Sequence, residues 1–190
     1  MKNFYVLGTL CLLSFSACKQ KEENPEPTVQ VIEENGNWQL LRNEKTYYIK
    51  GAGGNGNLDL LVQTGGNSIR TWSADNAKEI LDRAHEKGLT VMMGLWAQHE
   101  RHGFDYDDST AVKAQLEKFR ETVLELKDHP ALLIWGIGNE VDLNYHNTNV
   151  WYAINDIAKM VHELDPNHPT TTVTAGLDSN EVALIKQRAP

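Results

Sequence analysis

The sequence predicts an α/β fold built from repeated strand–helix units, and three observations point to it. From Thr46 onward, apolar runs of strand length alternate five times with segments of helical periodicity. No antiparallel signal separates these strands, so each helix reads as a right-handed crossover between parallel neighbours. Polar and aromatic residues collect just after the strands, where parallel α/β folds hold their ligands.

The N-terminus is a separate object. Lys2 precedes the apolar run Phe4 to Phe15, and the small residues Ser16-Ala17 follow. Residues 1–17 therefore read as a signal peptide, too short to span a membrane. The segment Leu13-Ser14-Phe15-Ser16-Ala17-Cys18 resembles a bacterial lipobox, with Phe15 where that pattern usually has Leu. The resemblance implies acylation of Cys18 and a membrane partner through this N-terminal lipid anchor. It also implies residence in the outer membrane of a bacterial cell envelope; a plain secretory signal is the alternative. Residues 18–28 are polar and Pro-containing, the composition of a flexible tether. Within them Lys21-Glu22-Glu23 resembles the surface-export signal of Bacteroidetes lipoproteins, or is an ordinary solvated linker. Cys11 would leave with the signal peptide, so Cys18 would have no intrachain disulfide partner.

Residues 29–45 read as a short β-hairpin, because Asn35-Gly36-Asn37 supplies turn chemistry between two apolar stretches. It is either the remnant of a preceding β-domain or a lid on a barrel floor. Residues 46–190 carry the repeats. Tyr47 to Gly51 is the first strand, and Leu58 to Val62 a short helix. Asn67 to Trp72 is the second strand. Asp75 then caps a helix with Ala77, Ile80, Leu81 and Ala84 on one face, stopped by Gly88. Thr90 to Trp96 is the third strand. Asp108 or Ser109 caps a helix carrying Val112, Leu116, Phe119, Val123 and Leu126. Ala131 to Ile137, a run of apolar residues and Gly, is the fourth strand, of the kind buried on both faces. Thr148 caps the next helix, Thr170 to Thr174 is the fifth strand, and Ser179 caps a last helix.

Composition removes several classes of function. At 41% hydrophobic and 23% charged residues, the chain is set to fold. Its net charge of -8 argues against nucleic acid as a partner. Gly51-Ala52-Gly53-Gly54-Asn55-Gly56 lacks both the Lys-Ser/Thr of a P-loop and dinucleotide spacing, so no cofactor is expected. His99-Glu100-Arg101-His102 has the wrong His spacing for a zinc helix, and no metal is expected there.

What remains is a neutral, hydroxyl-rich ligand. The strand exits hold Asn55, Arg70-Thr71-Trp72, Trp96 to His102, and Asn139-Glu140 followed by Asp142 and Tyr145. Aromatic faces stack on sugar rings, and amides and cations bond their hydroxyls. Glu140 is a carboxylate at the end of the fourth strand, which makes it one member of a candidate glycosidase pair.

From about Thr46 the chain resembles a clan A glycoside hydrolase barrel, closest to the catalytic domain of glycoside hydrolase family 2. Ser68-Ile69-Arg70-Thr71-Trp72 is similar to that family's second-strand motif, and Trp135-Gly136-Ile137-Gly138-Asn139-Glu140 to its fourth-strand motif. The resemblance implies the N-terminal part of a (β/α)8 TIM barrel, about five units of it. It implies retaining hydrolysis of a β-linked glycan or oligosaccharide. Glu140 would be the acid/base, Asn139 would hold the sugar 2-hydroxyl, and Arg70 would orient the nucleophile. Trp72, Trp96, His99 and Tyr145 would bind substrate. The alternative is a non-catalytic carbohydrate-binding surface lipoprotein. The oligomeric state is open.

The sequence departs from the family in one respect. An eight-stranded barrel needs ~250 residues, whereas Thr46 to Pro190 is 145. The family's nucleophilic Glu lies on strand seven, beyond the five units present, so the sequence reads as a truncated product or fragment. The 190-residue polypeptide alone is expected to be poorly soluble or dimeric, because its terminal strands are open edges. It is also expected to hydrolyse nothing. Turnover of an aryl β-glycoside by the purified polypeptide would contradict this.

Overall fold

A computed structural model describes residues 29–189. The expected signal peptide, Cys18 and the tether of residues 18–28 lie outside the described residues.

Five parallel strands form one sheet in sequential order: β4 (Gly51–Gly53), β5 (Ser68–Arg70), β6 (Thr90–Leu95), β7 (Leu132–Ile137) and β8 (Thr170–Thr172). Four helices make the crossovers: α1 (Leu58–Gln63), α2 (Ala77–Glu86), α3 (Ser109–Leu126) and α4 (Val150–Leu164). Helix α5 (Ser179–Arg188) follows β8 and has no fully buried residue. The sequential strand order is that of a TIM barrel opened along one side.

One face of the sheet packs on the helices. Ile69, Val91, Met93, Leu95, Trp135 and Ile137 are all buried there, in one cluster with the helix stripes. The α2 stripe is the one its spacing predicts: Ala77, Ile80, Leu81 and Ala84 are buried. In α3, Phe119, Val123 and Leu126 are buried, while Val112 and Leu116 are only partly so. A bulge at Leu133 lets β7 carry one more residue than β6 between the pairs Val91–Leu132 and Met92–Ile134. Above it the register is level, with Leu95, Ile137 and Thr172 aligned where three strands end.

A three-stranded antiparallel meander precedes this sheet: β1 (Val29–Glu34), β2 (Asn37–Arg42) and β3 (Lys45–Thr46). Both connections are two-residue turns with positive φ at each position, Asn35-Gly36 and Asn43-Glu44. The meander lies against the N-terminal ends of the parallel strands. The Val29 N–H donates to the Asn167 carbonyl at 3.0 Å, and Arg42 Nη2 to the Pro130 carbonyl at 3.0 Å. It is a floor, and the opposite end of the sheet is the mouth.

Several expectations need correction. The first parallel strand is Gly51–Gly53, not Tyr47–Gly51. The apolar Tyr47-Tyr48-Ile49 run is held by side chains instead of a ladder. The Asn67 side chain accepts from the Lys50 N–H and donates to the Tyr48 carbonyl, both at 2.8 Å. Glycine is required at the strand's start, because a Cβ on Gly51 would lie 2.8 Å from the Ser68 carbonyl oxygen. Three caps also shift by one residue. Asn76, Asn149 and Asp178 occupy the positions expected of Asp75, Thr148 and Ser179. Asp178 and Asp108 are true caps, each accepting from two backbone N–H groups.

Under the sheet, Asp165 joins strand to floor. Its carboxylate accepts from Trp135 Nε1 at 2.7 Å, from His168 Nδ1 at 2.9 Å and from the Asn167 N–H at 3.1 Å. The residue is 1% exposed. Burial pushes its pKa up, but the donors from His168 and Trp135 outweigh burial, and the carboxyl titrates below its usual range. A lowered folded pKa gives stability that is complete above the unfolded value, about pH 4, and lost as pH falls through the folded one. Asp165→Asn should cost ~1–3 kcal/mol at pH 7 and flatten the acid limb of a urea-unfolding series from pH 7 to pH 3. An unchanged acid limb would contradict this assignment.

Candidate active site

The mouth is built where β5, β6 and β7 end. Strand β7 leaves the sheet through two left-handed residues, Gly138 at φ 72° and Glu140 at φ 52°. Glycine suits the first: its φ is positive, and a Cβ there would press Val141 at 3.0 Å. Glu140 has no such freedom, and a left-handed non-glycine residue costs about 1–2 kcal/mol. Its N–H donates to the Val173 carbonyl beyond β8 at 2.7 Å.

Arg70, at the end of β5, donates from Nη2 to Asn139 Oδ1 at 2.5 Å. Strand β6 lies between β5 and β7, so this bond reaches across the exit of an intervening strand. Close approach is possible because β6 has Gly94 there. A Cβ on Gly94 would sit 2.4 Å from the Trp72 backbone carbon. The Gly94 N–H instead donates to Thr71 Oγ1 at 3.0 Å. The bond also orients the Asn139 amide. With Oδ1 accepting from Arg70, what Asn139 has left to offer a ligand is its NH2 donors.

The Arg70 guanidinium stands 5.8 Å from the Trp72 ring centroid. Among the described residues no carboxylate oxygen lies within 4 Å of it, so its charge is available to one. Trp72 is exposed and Trp96 half-buried. With Gln98, Asp75 and Lys118 they line a groove of about 470 Å³ on the α3 side of the mouth. Two aromatic faces and hydrogen-bonding groups are the lining a sugar ring needs.

Two of the expected substrate contacts take other positions. His99 is 0% exposed and does not line the mouth. Its Nε2 lies 2.6 Å from the Asn139 carbonyl, which makes Nε2 the protonated nitrogen. Trp96 and His102 meet its ring edge to face at 4.7 and 5.1 Å. Burial holds its pKa below the usual imidazole range, against the pull of the Asn139 carbonyl, so the ring is neutral at pH 7. Tyr145 sits on the α5 side. Its hydroxyl donates to Glu181 Oε1 and accepts from Trp151 Nε1, both at 3.2 Å. The mouth therefore gathers Arg70, Trp72, Trp96, Asn139 and Glu140, with His99 behind them and Tyr145 to one side.

Two residues matter more than the sequence suggests. Arg101 Nη1 donates to the Glu140 carbonyl at 2.8 Å and to the Leu143 carbonyl at 3.3 Å. Glu100 accepts from the N–H groups of His146 and Asn147 at 2.7 and 2.8 Å. The Asn147 and His146 amides hold the Glu100 carboxyl below its usual range. Both side chains belong to a 3-10 turn, Glu100–His102. The only sequence signal for them is opposite charge in a short loop just past a mouth strand.

Comparison with known proteins agrees with this geometry. Residues 55–188, well over half of the chain, match the TIM barrel domain of glycosyl hydrolases family 2. A β-galactosidase of Thermoanaerobacter pseudethanolicus is 29% identical over 124 residues, which are 65% of this chain and 15% of that protein. A β-glucuronidase of Chlorocebus aethiops is 25% identical over 122 residues, 62% of this chain and 18% of that protein. The chain thus spans less than a fifth of the length of these two relatives. A solved β-glucuronidase structure from Faecalibacterium prausnitzii shares the fold, with a TM-score of 0.63 at 21% identity over 75% of this chain and 27% of that one. By the extent of the first match, this chain belongs to the TIM barrel domain family of glycosyl hydrolases family 2.

Proposed function

We propose that this chain carries the acid/base half of a retaining β-glycosidase, acting on a β-linked glycan or oligosaccharide. The observation that carries the reading is the Arg70–Asn139 hydrogen bond. It brings a cation, an oriented amide and the adjacent Glu140 to the carboxyl end of one sheet.

Each group then has a role. Glu140 protonates the glycosidic oxygen as the leaving group departs, and later takes a proton from the attacking water. Asn139 donates its NH2 to the sugar 2-hydroxyl, a contact that strengthens as positive charge develops at the anomeric carbon. Arg70 orients the nucleophilic carboxylate and keeps it ionised. That carboxylate belongs to a seventh strand, outside these five units. Trp72 and Trp96 offer stacking faces. The names of the sequence relatives make β-galactosides and β-glucuronides the first substrates to try. Residues 1–18 in this reading deliver the enzyme to the bacterial outer membrane, with Cys18 as the lipid attachment point.

The test uses the complete protein, with phenyl and 2,4-dinitrophenyl β-D-galactosides and β-D-glucuronides. General acid/base catalysis contributes roughly 10²–10⁴-fold. Glu140→Gln should lose that factor on the phenyl glycosides, whose leaving group needs a proton, and far less on the dinitrophenyl ones. Equal losses on both would argue against the acid/base role. Sugar binding without turnover by the unaltered complete protein would favour the carbohydrate-binding alternative.

A further inference from the structure

We propose that His99 and Arg101 are positioning residues for Glu140, gripping the peptide groups on either side of its Cα. The inference deepens the acid/base reading above and rests on it.

The argument starts from Glu140's backbone. Two peptide planes flank its Cα. The first contains the Asn139 carbonyl and the Glu140 N–H, and it is held from both sides. His99 Nε2 donates to the carbonyl at 2.6 Å, and the N–H donates to the Val173 carbonyl at 2.7 Å. The second plane contains the Glu140 carbonyl, which Arg101 Nη1 holds at 2.8 Å. With both planes held, the φ and ψ of Glu140 are fixed, and so is the direction of its Cα–Cβ bond. That φ is left-handed, at 52°. A carboxylate needs placement to within about 0.5 Å to act on a glycosidic oxygen, and a non-glycine residue would leave this conformation if released.

The chemistry of His99 fits this task and little else. The ring is fully buried, and its Nδ1 finds no hydrogen-bond partner within the described residues. A buried imidazole with an unsatisfied nitrogen is a poor packing residue. What the ring supplies is one rigid N–H, aimed at the Asn139 carbonyl and braced edge to face by Trp96 and His102. Glu100, between the two proposed residues, binds the His146 and Asn147 amides of the same β7–α4 loop. Three consecutive side chains thus grip one loop, two as donors to carbonyls and one as acceptor from amides.

The experiment compares His99→Leu, His99→Gln and Arg101→Met in the complete protein. Substrates are the phenyl and 2,4-dinitrophenyl β-D-galactosides and β-D-glucuronides, with Glu140→Gln run in parallel. Misplacement of a catalytic group by about 1 Å costs on the order of 10²-fold. His99→Leu and Arg101→Met should therefore lower kcat/KM on the phenyl glycosides roughly 10- to 100-fold and spare the dinitrophenyl ones. His99→Gln, which can present an N–H near the same point, should recover most of the loss. A merely structural role would instead reduce both substrates alike, together with the melting temperature. If Glu140→Gln discriminates between leaving groups while His99→Leu and Arg101→Met do not, the positioning inference falls and the acid/base reading stands. If Glu140→Gln does not discriminate, both fall. Should His99→Leu not fold, Arg101→Met decides alone, because its half-buried side chain is outside the core.

Discussion

Strand β7 is paired along both edges, to β6 and to β8, and its helix face is buried by Trp135 and Ile137. A strand so held cannot turn at its end without placing its next polar groups somewhere. It turns left-handed at Gly138 and Glu140, and each freed backbone group meets a partner from a neighbouring element. The Gly138 N–H returns to the Leu95 carbonyl, the Glu140 N–H goes to Val173, and the two following carbonyls go to His99 and Arg101. The side-chain geometry of the mouth depends on this turn. Asn139 can meet Arg70 only because the backbone on either side of it is fixed.

The two ends of the sheet answer different demands. At the floor, polar groups are satisfied among themselves: Asp165 takes Trp135, His168 and a backbone amide, and Arg42 of the meander takes the Pro130 carbonyl. At the mouth, Arg70 keeps an uncompensated charge, Asn139 keeps its donors, and Trp72 keeps an exposed face. Stability concentrates at the first end and binding capacity at the second, the division expected of a β/α barrel. The open strand β4, made of Gly51-Ala52-Gly53, contributes no bulky side chain to either end, which leaves the Trp72 ring room to lie against Gly53.

Much of this was legible in the sequence, for definable reasons. Helix stripes such as Ala77, Ile80, Leu81 and Ala84 write themselves into the chain by spacing. Arg70 and Asn139-Glu140 stand where apolar runs stop, so their placement at the mouth follows once the runs are strands. The first parallel strand was illegible because Gly-Ala-Gly has no apolar signature, whereas Tyr47-Tyr48-Ile49 has one. The burial of His99 was illegible for a different reason. It is set by the docking of a 3-10 turn against a loop forty residues further along the chain. A polar residue just past a strand reads as rim unless that contact is known. Arg101 escaped for the same reason, since its partners are backbone carbonyls, which every sequence has.

The account's central claim is that Glu140 stands at the mouth as one of two carboxyl groups acting on a single glycosidic bond. A crystal structure of the complete protein with galactose or glucuronic acid bound would measure the separation directly. The account predicts the sugar against Trp72 and Asn139, and the Glu140 carboxyl about 5–5.5 Å from a carboxylate of the seventh strand. A separation of about 6.5–9.5 Å, as inverting enzymes require, or a sugar bound away from Glu140, would contradict it.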